Sequence, residues 1–214
     1  MIKLIYLAKR KPGFTPDEFT RRWRMHGAKG MSVSMWRHAV GYVQAEPIRP
    51  APLPGACEDY DAVACYMVRD DAFTSPPILP DDADANELMA RDELETFSGP
   101  IMPVAMFVNE DVMKAGVLGG TSAYLFFSDA GAAREIAHRS EGAPGINRLI
   151  LNVKRTDEAL GSLQGGLPYA AVVEVSAADL PALREVIAHA GEGVLQAADV
   201  AMVTREAVLW DRMG

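Results

Sequence analysis

The 214-residue sequence is poor in features that mark several common classes of protein. It has two cysteines, Cys57 and Cys65, which exclude a disulfide framework, and no CxxC or histidine-rich spacing predicts a zinc site. No uncharged run reaches the ~20 residues that a membrane span requires, and no basic segment followed by an apolar stretch opens the chain. We therefore expect a cytoplasmic protein that holds no metal.

Basic residues are also in deficit, with 21 lysines and arginines against 29 acidic residues and a formal net charge of -8. Such a chain is repelled by phosphate backbones and by anionic lipid, so we expect neither nucleic acid nor membrane as a partner. The basic cluster at residues 9–11 and 21–24 is interpreted as a loop and a solvated helix face. Hydrophobic residues make up 49% of the sequence, which is enough for a substantial core.

Turn and capping signals divide the first half of the chain into alternating strands and helices. Thr15 offers an N-cap hydroxyl, Pro16 suits the first helical turn, and Asp17 and Glu18 place acids at the positive end of the helix dipole. The predicted strands are residues 2–8, 38–45, 60–68 and 101–109, and the predicted helices are residues 16 to about 35 and 86–97. The resulting order is βαββαβ.

The second half repeats that order after a glycine-rich linker at residues 116–120. Its predicted strands are residues 122–127, 145–153, 169–175 and 200–209, and its predicted helices are residues 130–140 and 178–190. Two such units predict an α+β fold in which ferredoxin-like halves, residues 1–115 and 116–214, form a barrel within one chain. The sheet faces that helices leave uncovered are expected to pack on each other.

Two irregular segments, residues 46–58 and 75–84, are rich in proline and long for a compact domain. Loops of this length are usually lids, binding loops or partly disordered segments, and composition does not separate these options.

An aromatic stripe with one imidazole lies on the first predicted helix. Phe19, Trp23 and His26 are spaced by four and three residues, which places them on one face. Apolar surroundings disfavour the charged form of histidine, so His26 suits a neutral base or hydrogen-bond donor near pH 7. The alternative is a core histidine whose hydrogen bond is satisfied by a backbone carbonyl.

Acidic residues at strand ends are candidates to orient that histidine. Asp61 begins an apolar strand and Glu110 ends one, so each can point into the barrel or lie at its rim. We predict Asp61 as the carboxylate that orients His26.

Three further acids are interpreted differently. Asp92 and Glu93 follow a basic residue on a helix, where a solvated charged turn is expected. Glu174 interrupts an apolar strand; strand alternation predicts an outward side chain, whereas an inward one would be a candidate acid that needs a partner or a proton.

Nucleotide-binding and hydrolase motifs are missing from the sequence. It contains no GxSxG, no Walker loop and no GxGxxG that opens a helix. Nucleotide and dinucleotide cofactors are therefore not expected, and our overall prediction is a protein that works without a cofactor.

A run near the start of the chain resembles the opening motif of the EthD family. The matching residues are 9–19 (KRKPGFTPDEF), Trp23, His26-Gly27 and Tyr42-Val43-Gln44. The resemblance continues more weakly at Asp61, Asp92-Glu93, Phe97 and Glu110, so it covers about residues 1–110. It departs from the usual pattern at Ala28, where proline often follows the His-Gly pair, and in the doubled length.

The resemblance implies a dimeric α+β barrel, a fold shared with cofactor-free monooxygenases, isomerases, dehydratases, cyclases and haem-handling enzymes. We accordingly predict a cofactor-independent acid–base enzyme of lyase, dehydratase, isomerase or cyclase type. Its catalytic residues would be His26 and Asp61, and Phe19, Trp23 and Tyr42 would hold a small apolar or aromatic substrate.

Two other hypotheses stay open. One is a non-catalytic ligand-binding or accessory protein for a catabolic oxygenase. The other is haem or oxygen chemistry with His26 as an axial ligand. Association of two chains into a homodimer is a further possibility that the sequence leaves undecided.

Overall fold

Two βαββαβ units follow one another along the chain in the computed structural model, which describes residues 2–33, 39–68, 83–156 and 165–211. The strands of the described residues are β1 Ile2–Ala8, β2 Ala39–Pro47, β3 Ala62–Val68, β4 Ala105–Lys114, β5 Gly120–Phe127, β6 Ile146–Lys154, β7 Ala171–Ala177 and β8 Val200–Asp211. The helices are α1 Pro16–Ser32, α2 Ala83–Thr96, α3 Ala130–Ser140, α4 Leu180–Ala190 and α5 Val194–Ala197. The mixed α+β class is confirmed.

The predicted ends of several elements differ from the observed ones. A 3₁₀ turn at Met102–Val104 precedes β4, because Pro103 has no N–H to donate to a strand ladder. The short helix α5 was not predicted. The predicted end of the first helix, the predicted start of the second strand and most of the loop at 75–84 lie outside the described residues.

Helix α1 begins as the sequence predicts. Thr15 Oγ1 accepts a hydrogen bond from Glu18 N at 3.3 Å, and Glu18 Oε2 accepts one from Thr15 N at 2.8 Å. This reciprocal capping box satisfies backbone donors that would otherwise lack a partner at the helix start. It fixes the point at which α1 leaves β1 and crosses the sheet.

The strands close into one antiparallel barrel in the order β1-β3-β2-β8-β5-β7-β6-β4. The seams between the two units are the pairs β2 with β8 and β4 with β6. Both β4 and β8 continue past their neighbours β1 and β5, which lets each reach an edge strand of the other unit. The sheets are therefore joined through hydrogen-bonded edges as well as facing each other, and closure removes the exposed sheet edges.

Strand alternation distributes the apolar side chains among three cores. In β1, Ile5 points into the barrel, whereas Tyr6 points outward under α1. Facing α3 and α4, the outer side of the second unit forms a separate core that includes Leu125 and Val173. The sequence signature around Trp23 thus belongs to the outer layer of the first unit.

None of the helices that the structure describes combines the length and the apolar character that crossing a membrane would need.

Candidate functional site

The predicted aromatic stripe lies between α1 and the outer face of the first sheet. Phe19 and Trp23 are buried and stack with their ring centroids 5.6 Å apart, and Trp23 is 0% exposed. Tyr42 on β2 stacks on Tyr66 of β3 at 3.9 Å. The structure therefore brings the three predicted substrate-binding side chains, Phe19, Trp23 and Tyr42, into one aromatic cluster.

Hydrogen bonds fix the polar ends of this cluster. Trp23 Nε1 donates to Tyr6 OH at 2.6 Å, and Gln44 Nε2 donates to Tyr42 OH at 2.7 Å and to the Trp23 carbonyl at 2.9 Å. Burial raises the pKa of Tyr6 and Tyr42, so both phenols stay protonated at neutral pH. The cluster therefore offers phenol groups and ring faces and carries no charge of its own.

Gly27 lets α1 approach the sheet at the level of the cluster. A Cβ atom at this position would lie 2.7 Å from Gln44 Nε2 and 2.9 Å from Tyr42 Cε1. The His-Gly pair of the sequence motif thus combines an imidazole with the residue that allows close packing beside it.

His26 is held by a carboxylate. Its Nδ1 lies 2.8 Å from Asp92 Oδ2 on α2, and the side chains of His26 and Asp92 are 3% and 1% exposed. Burial lowers the pKa of His26, and the hydrogen bond to Asp92 opposes that shift only in part. The imidazole is therefore neutral at pH 7, with Nδ1–H donating to Asp92 and the lone pair on Nε2.

Asp92 is an ion-paired buried carboxylate, which contradicts the expectation of a solvated turn. Arg22 Nη2 donates to Asp92 Oδ1 at 2.7 Å, and Lys29 Nζ contacts the same oxygen. Burial alone would raise the pKa of Asp92, but these bonds and the one with His26 hold it well below its usual range. Asp92 is thus ionised at any pH at which His26 is neutral, and its ion pairs fix its position.

Asp61 does not orient His26, so this predicted pairing is wrong. It lies at the rim, where it accepts hydrogen bonds from Arg10 N at 2.9 Å and from Arg49 Nη2 at 3.0 Å and pairs with the Arg10 guanidinium. The reason is its position directly before the first residue of β3, at the end of the strand that lies away from His26. There the side chains of Arg10 and Arg49, which come from loops, contact Asp61.

Arg22 and Lys29 carried a sequence signal that the prediction missed. They lie four residues before and three residues after His26, so all three side chains share one side of α1. Because two cations beside a buried histidine need a negative charge to balance them, this spacing predicts a carboxylate on a neighbouring element.

Glu93, next to Asp92, has the opposite environment. It is half-buried, and its Oε2 accepts a hydrogen bond from Ile101 N at 3.0 Å. Burial raises its pKa, and the backbone hydrogen bond opposes that shift. The pKa of Asp92 is thus lowered and that of the adjacent Glu93 is raised. Opposite shifts of this kind separate the acid and base roles of neighbouring groups in active sites.

A second charged cluster lies inside the barrel. Lys3 Nζ contacts Glu174 Oε1 at 2.5 Å and Glu110 Oε1 at 2.6 Å, and Glu174 is 1% exposed. The expectation that Glu174 points outward is therefore wrong, and Glu110 faces the interior as well. Although burial disfavours the ammonium, the charges of Glu174 and Glu110 raise the pKa of Lys3.

Arg148 extends this cluster across the second unit. Its Nη2 lies 2.7 Å from Glu206 Oε1 and 3.6 Å from Glu174 Oε2, and Tyr124 OH donates to Glu206 at 2.7 Å. The signal in the sequence was a charged residue inside four of the apolar strands, at Lys3, Arg148, Glu174 and Glu206. Because these residues come from both units, the cluster joins the two halves of the barrel.

The surroundings of His26 do not fit haem as an axial partner. Phe97 packs edge-on against the imidazole with ring centroids 5.2 Å apart, and Asp92 holds Nδ1. A macrocycle bound at Nε2 needs a slot along the imidazole that is far larger than the movement of one side chain can open, and His26 is 3% exposed.

The pKa of His26 can be measured directly. Titration by two-dimensional NMR, with the signal assigned from its loss in His26→Gln, is expected to give a value below the ordinary 6.5 of histidine. Asp92→Asn should lower it further, because it removes a hydrogen bond that favours the imidazolium. A value above 6.5 in the wild type would contradict the neutral imidazole.

The architecture places the chain in the class of α+β barrels in which two ferredoxin-like units share one sheet. No family model matches the sequence, and no curated protein matches it. Solved structures do resemble it. A candidate monooxygenase from Fusobacterium nucleatum is 11% identical, with 97% of this chain and 92% of that chain covered and a TM-score of 0.54.

Two other structures are similar to the same extent. An anthrone oxidase-like protein is 9% identical, with 100% of this chain and 95% of that chain covered and a TM-score of 0.53. A candidate chlorite dismutase is 12% identical, with coverage of 96% and 95% and a TM-score of 0.52. At such identities the likeness shows the dimeric α+β barrel fold and nothing finer.

Proposed function

We propose that this chain is a tandem EthD-like enzyme that catalyses proton transfer on a small apolar or aromatic molecule without a cofactor. The observation that carries the proposal is the buried His26–Asp92 pair beside the aromatic cluster. A dehydration, isomerisation or cyclisation fits, since each needs a positioned base and an apolar site. In this proposal the two units are residues 1–115 and 116–214, and the reaction takes place in the first unit.

The chemistry follows from the tautomer. His26 Nε2 would take a proton from the substrate, and Asp92 would stabilise the imidazolium that forms, as carboxylates do in other histidine-based sites. Glu93, which follows Asp92 on α2 and has a raised pKa, is the candidate to return a proton. Because His26 is 3% exposed, the contact between its ring and Phe97 must open for the substrate.

The proposal can be tested with 5-nitrobenzisoxazole, a small aromatic compound whose ring opens when a base removes its C–H proton and the N–O bond breaks to give a phenolate nitrile. The wild type is expected to accelerate this elimination, and His26→Gln should reduce the rate by about a hundredfold or more, the usual contribution of a positioned base. Release of the coloured phenolate is the measurement.

His138→Gln is the matched control, because His138 is an exposed histidine on α3. It should leave the rate unchanged. Equal rates in the wild type and in His26→Gln would remove His26 as the base. If the aromatic compound also binds with unchanged affinity in His26→Gln, that result would favour the ligand-binding or accessory function.

Oxygen chemistry is the second candidate, and it is supported by the similar structures described as a monooxygenase and an anthrone oxidase-like protein. Removal of the O–H proton from a phenol or enol gives a phenolate or enolate, whose negative charge is shared with a carbon atom that can react with O₂, so the same base would serve. Oxygen uptake in the presence of anthrone would distinguish this reaction from a lyase or isomerase step, which consumes none.

A further inference from the structure

A cleft of about 280 Å³ opens between the start of α1 and the seam of β2 with β8. It lies on the same helix as His26 but at the other end, with Phe19 common to the cleft and the aromatic cluster. Its charged lining residues are Asp17, Glu46, Arg49, Asp61 and Arg205.

The guanidinium of Arg205 is not paired with the carboxylate that lies opposite it on the neighbouring strand. On β8 it lies directly opposite Glu46 of β2. The Glu46 carboxylate turns instead to α1, where it accepts from Thr20 Oγ1 at 3.0 Å and contacts Arg24 Nη2 at 3.4 Å. Arg205 is exposed, and no carboxylate of the described ranges lies within ion-pair distance of it.

The acids of the cleft, by contrast, are mostly paired. Asp61 is neutralised by Arg10 and Arg49, and Arg49 also donates to the backbone carbonyl of Tyr60 at 2.7 Å. The lining itself holds two arginines and three carboxylates, and the ion partners Arg10 and Arg24 bring the local set to four arginines against three carboxylates. The carboxylates of Asp61 and Glu46 are thus offset by arginines, which leaves the Arg205 guanidinium available to an anion on a chain whose net charge is -8.

Apolar side chains form the other wall of the cleft. They are Pro16, Phe19, Pro47 and Ile48. A free guanidinium beside such a wall suits a molecule that has an apolar or aromatic body and one anionic group, because a guanidinium binds carboxylate through two parallel hydrogen bonds.

We propose that the cleft binds a small aromatic or apolar carboxylic acid, with the carboxylate on Arg205 and the apolar body against Pro47 and Ile48. Phe19 to His26 spans seven residues of α1, or roughly 10 Å at the rise of an α-helix, so a molecule the size of benzoate held in the cleft does not reach His26. The binding inference therefore goes beyond the proposed function and does not rest on it.

Benzoate is the probe, with benzyl alcohol as its uncharged counterpart. Binding to the wild type is followed by chemical-shift changes in two-dimensional NMR. We expect benzoate to shift signals of residues 46–49 and 205, to bind at least about tenfold more tightly than benzyl alcohol, and to lose about tenfold in affinity in Arg205→Gln. The control is Arg134→Gln, which removes an exposed arginine on α3, away from the cleft. It should leave the affinity for benzoate unchanged.

Equal affinities for benzoate and benzyl alcohol, unchanged benzoate binding in Arg205→Gln, or shifts confined to other surfaces would each overturn the inference. The two proposals fail separately. In His26→Gln the proton-transfer activity should fall while benzoate still binds, and in Arg205→Gln benzoate binding should weaken while the folded protein keeps a His26–Asp92 pair with an unchanged histidine pKa.

Discussion

Replacing Glu174 by glutamine is expected to lower the free energy of unfolding by about 3 to 5 kcal/mol, the usual cost of breaking a buried ion pair. Glu174 accepts from Lys3 and Asn152 and lies near Arg148, all inside the barrel. The amide leaves two buried cations with less compensation. Because Lys3 belongs to the first unit and Arg148 to the second, the loss should weaken barrel closure. Urea unfolding followed by circular dichroism gives the value.

Two variants make this test specific. Glu185→Gln on the exposed side of α4 should stay within about 0.5 kcal/mol of the wild type. In Lys3→Met the carboxylates lose their cation, so that change should be costly as well, and the double variant should lose less than the sum of the two single changes. Additive losses would show that the two charges do not depend on each other.

Asp92→Asn is expected to cost about 3 kcal/mol at pH 7, because it leaves Arg22, Lys29 and His26 around a neutral amide. The control is Glu95→Gln. Glu95 contacts the same Arg22 at 3.1 Å but is 57% exposed, so its loss should be within about 1 kcal/mol. Urea unfolding of both variants under the same conditions provides the comparison, and equal losses would contradict a special role for the buried carboxylate.

The same variant should change the response to acid. The folded pKa of Asp92 lies below its unfolded value, so the stabilisation is complete above about pH 4 and is lost as pH falls further. The folded pKa of His26 is also lowered, so protons favour the unfolded chain below about pH 6.5. Wild type and Asp92→Asn should therefore approach each other in stability only as pH falls below about 4, where the unfolded chain begins to protonate Asp92. A difference in stability that stays constant as pH falls from about 4 to about 2 would contradict this account.

Much of the fold could be predicted because local signals repeat along the chain. The capping residues at Thr15, the spacing of apolar residues and the glycine-rich linker indicate the element order without any long-range contact. The strand pairs that close the barrel could not be predicted in the same way. The edge pairing of β4 with β6 and of β8 with β2 depends on strand lengths, and these are decided by pairing partners that are distant in sequence.

The candidate site was predicted in part. His26 and the aromatic residues share a face that the helical period determines, and the structure places them in one layer. The choice of carboxylate was wrong because Asp61 and Asp92 are both distant from His26 in sequence. Only the packing of α1 on α2 brings Asp92 to 2.8 Å, and only the loop arginines hold Asp61 at the rim.

Periodicity and capping within a few residues are enough to specify the α+β class, the doubled βαββαβ order and the helix face that carries Trp23 and His26. Which charges meet depends on the packing of distant segments. Lys3 with Glu174, His26 with Asp92, and Glu46 with α1 instead of Arg205 are contacts between distant segments. Burial and proximity set the charge state and partner of each group, and neither exists until the barrel has closed.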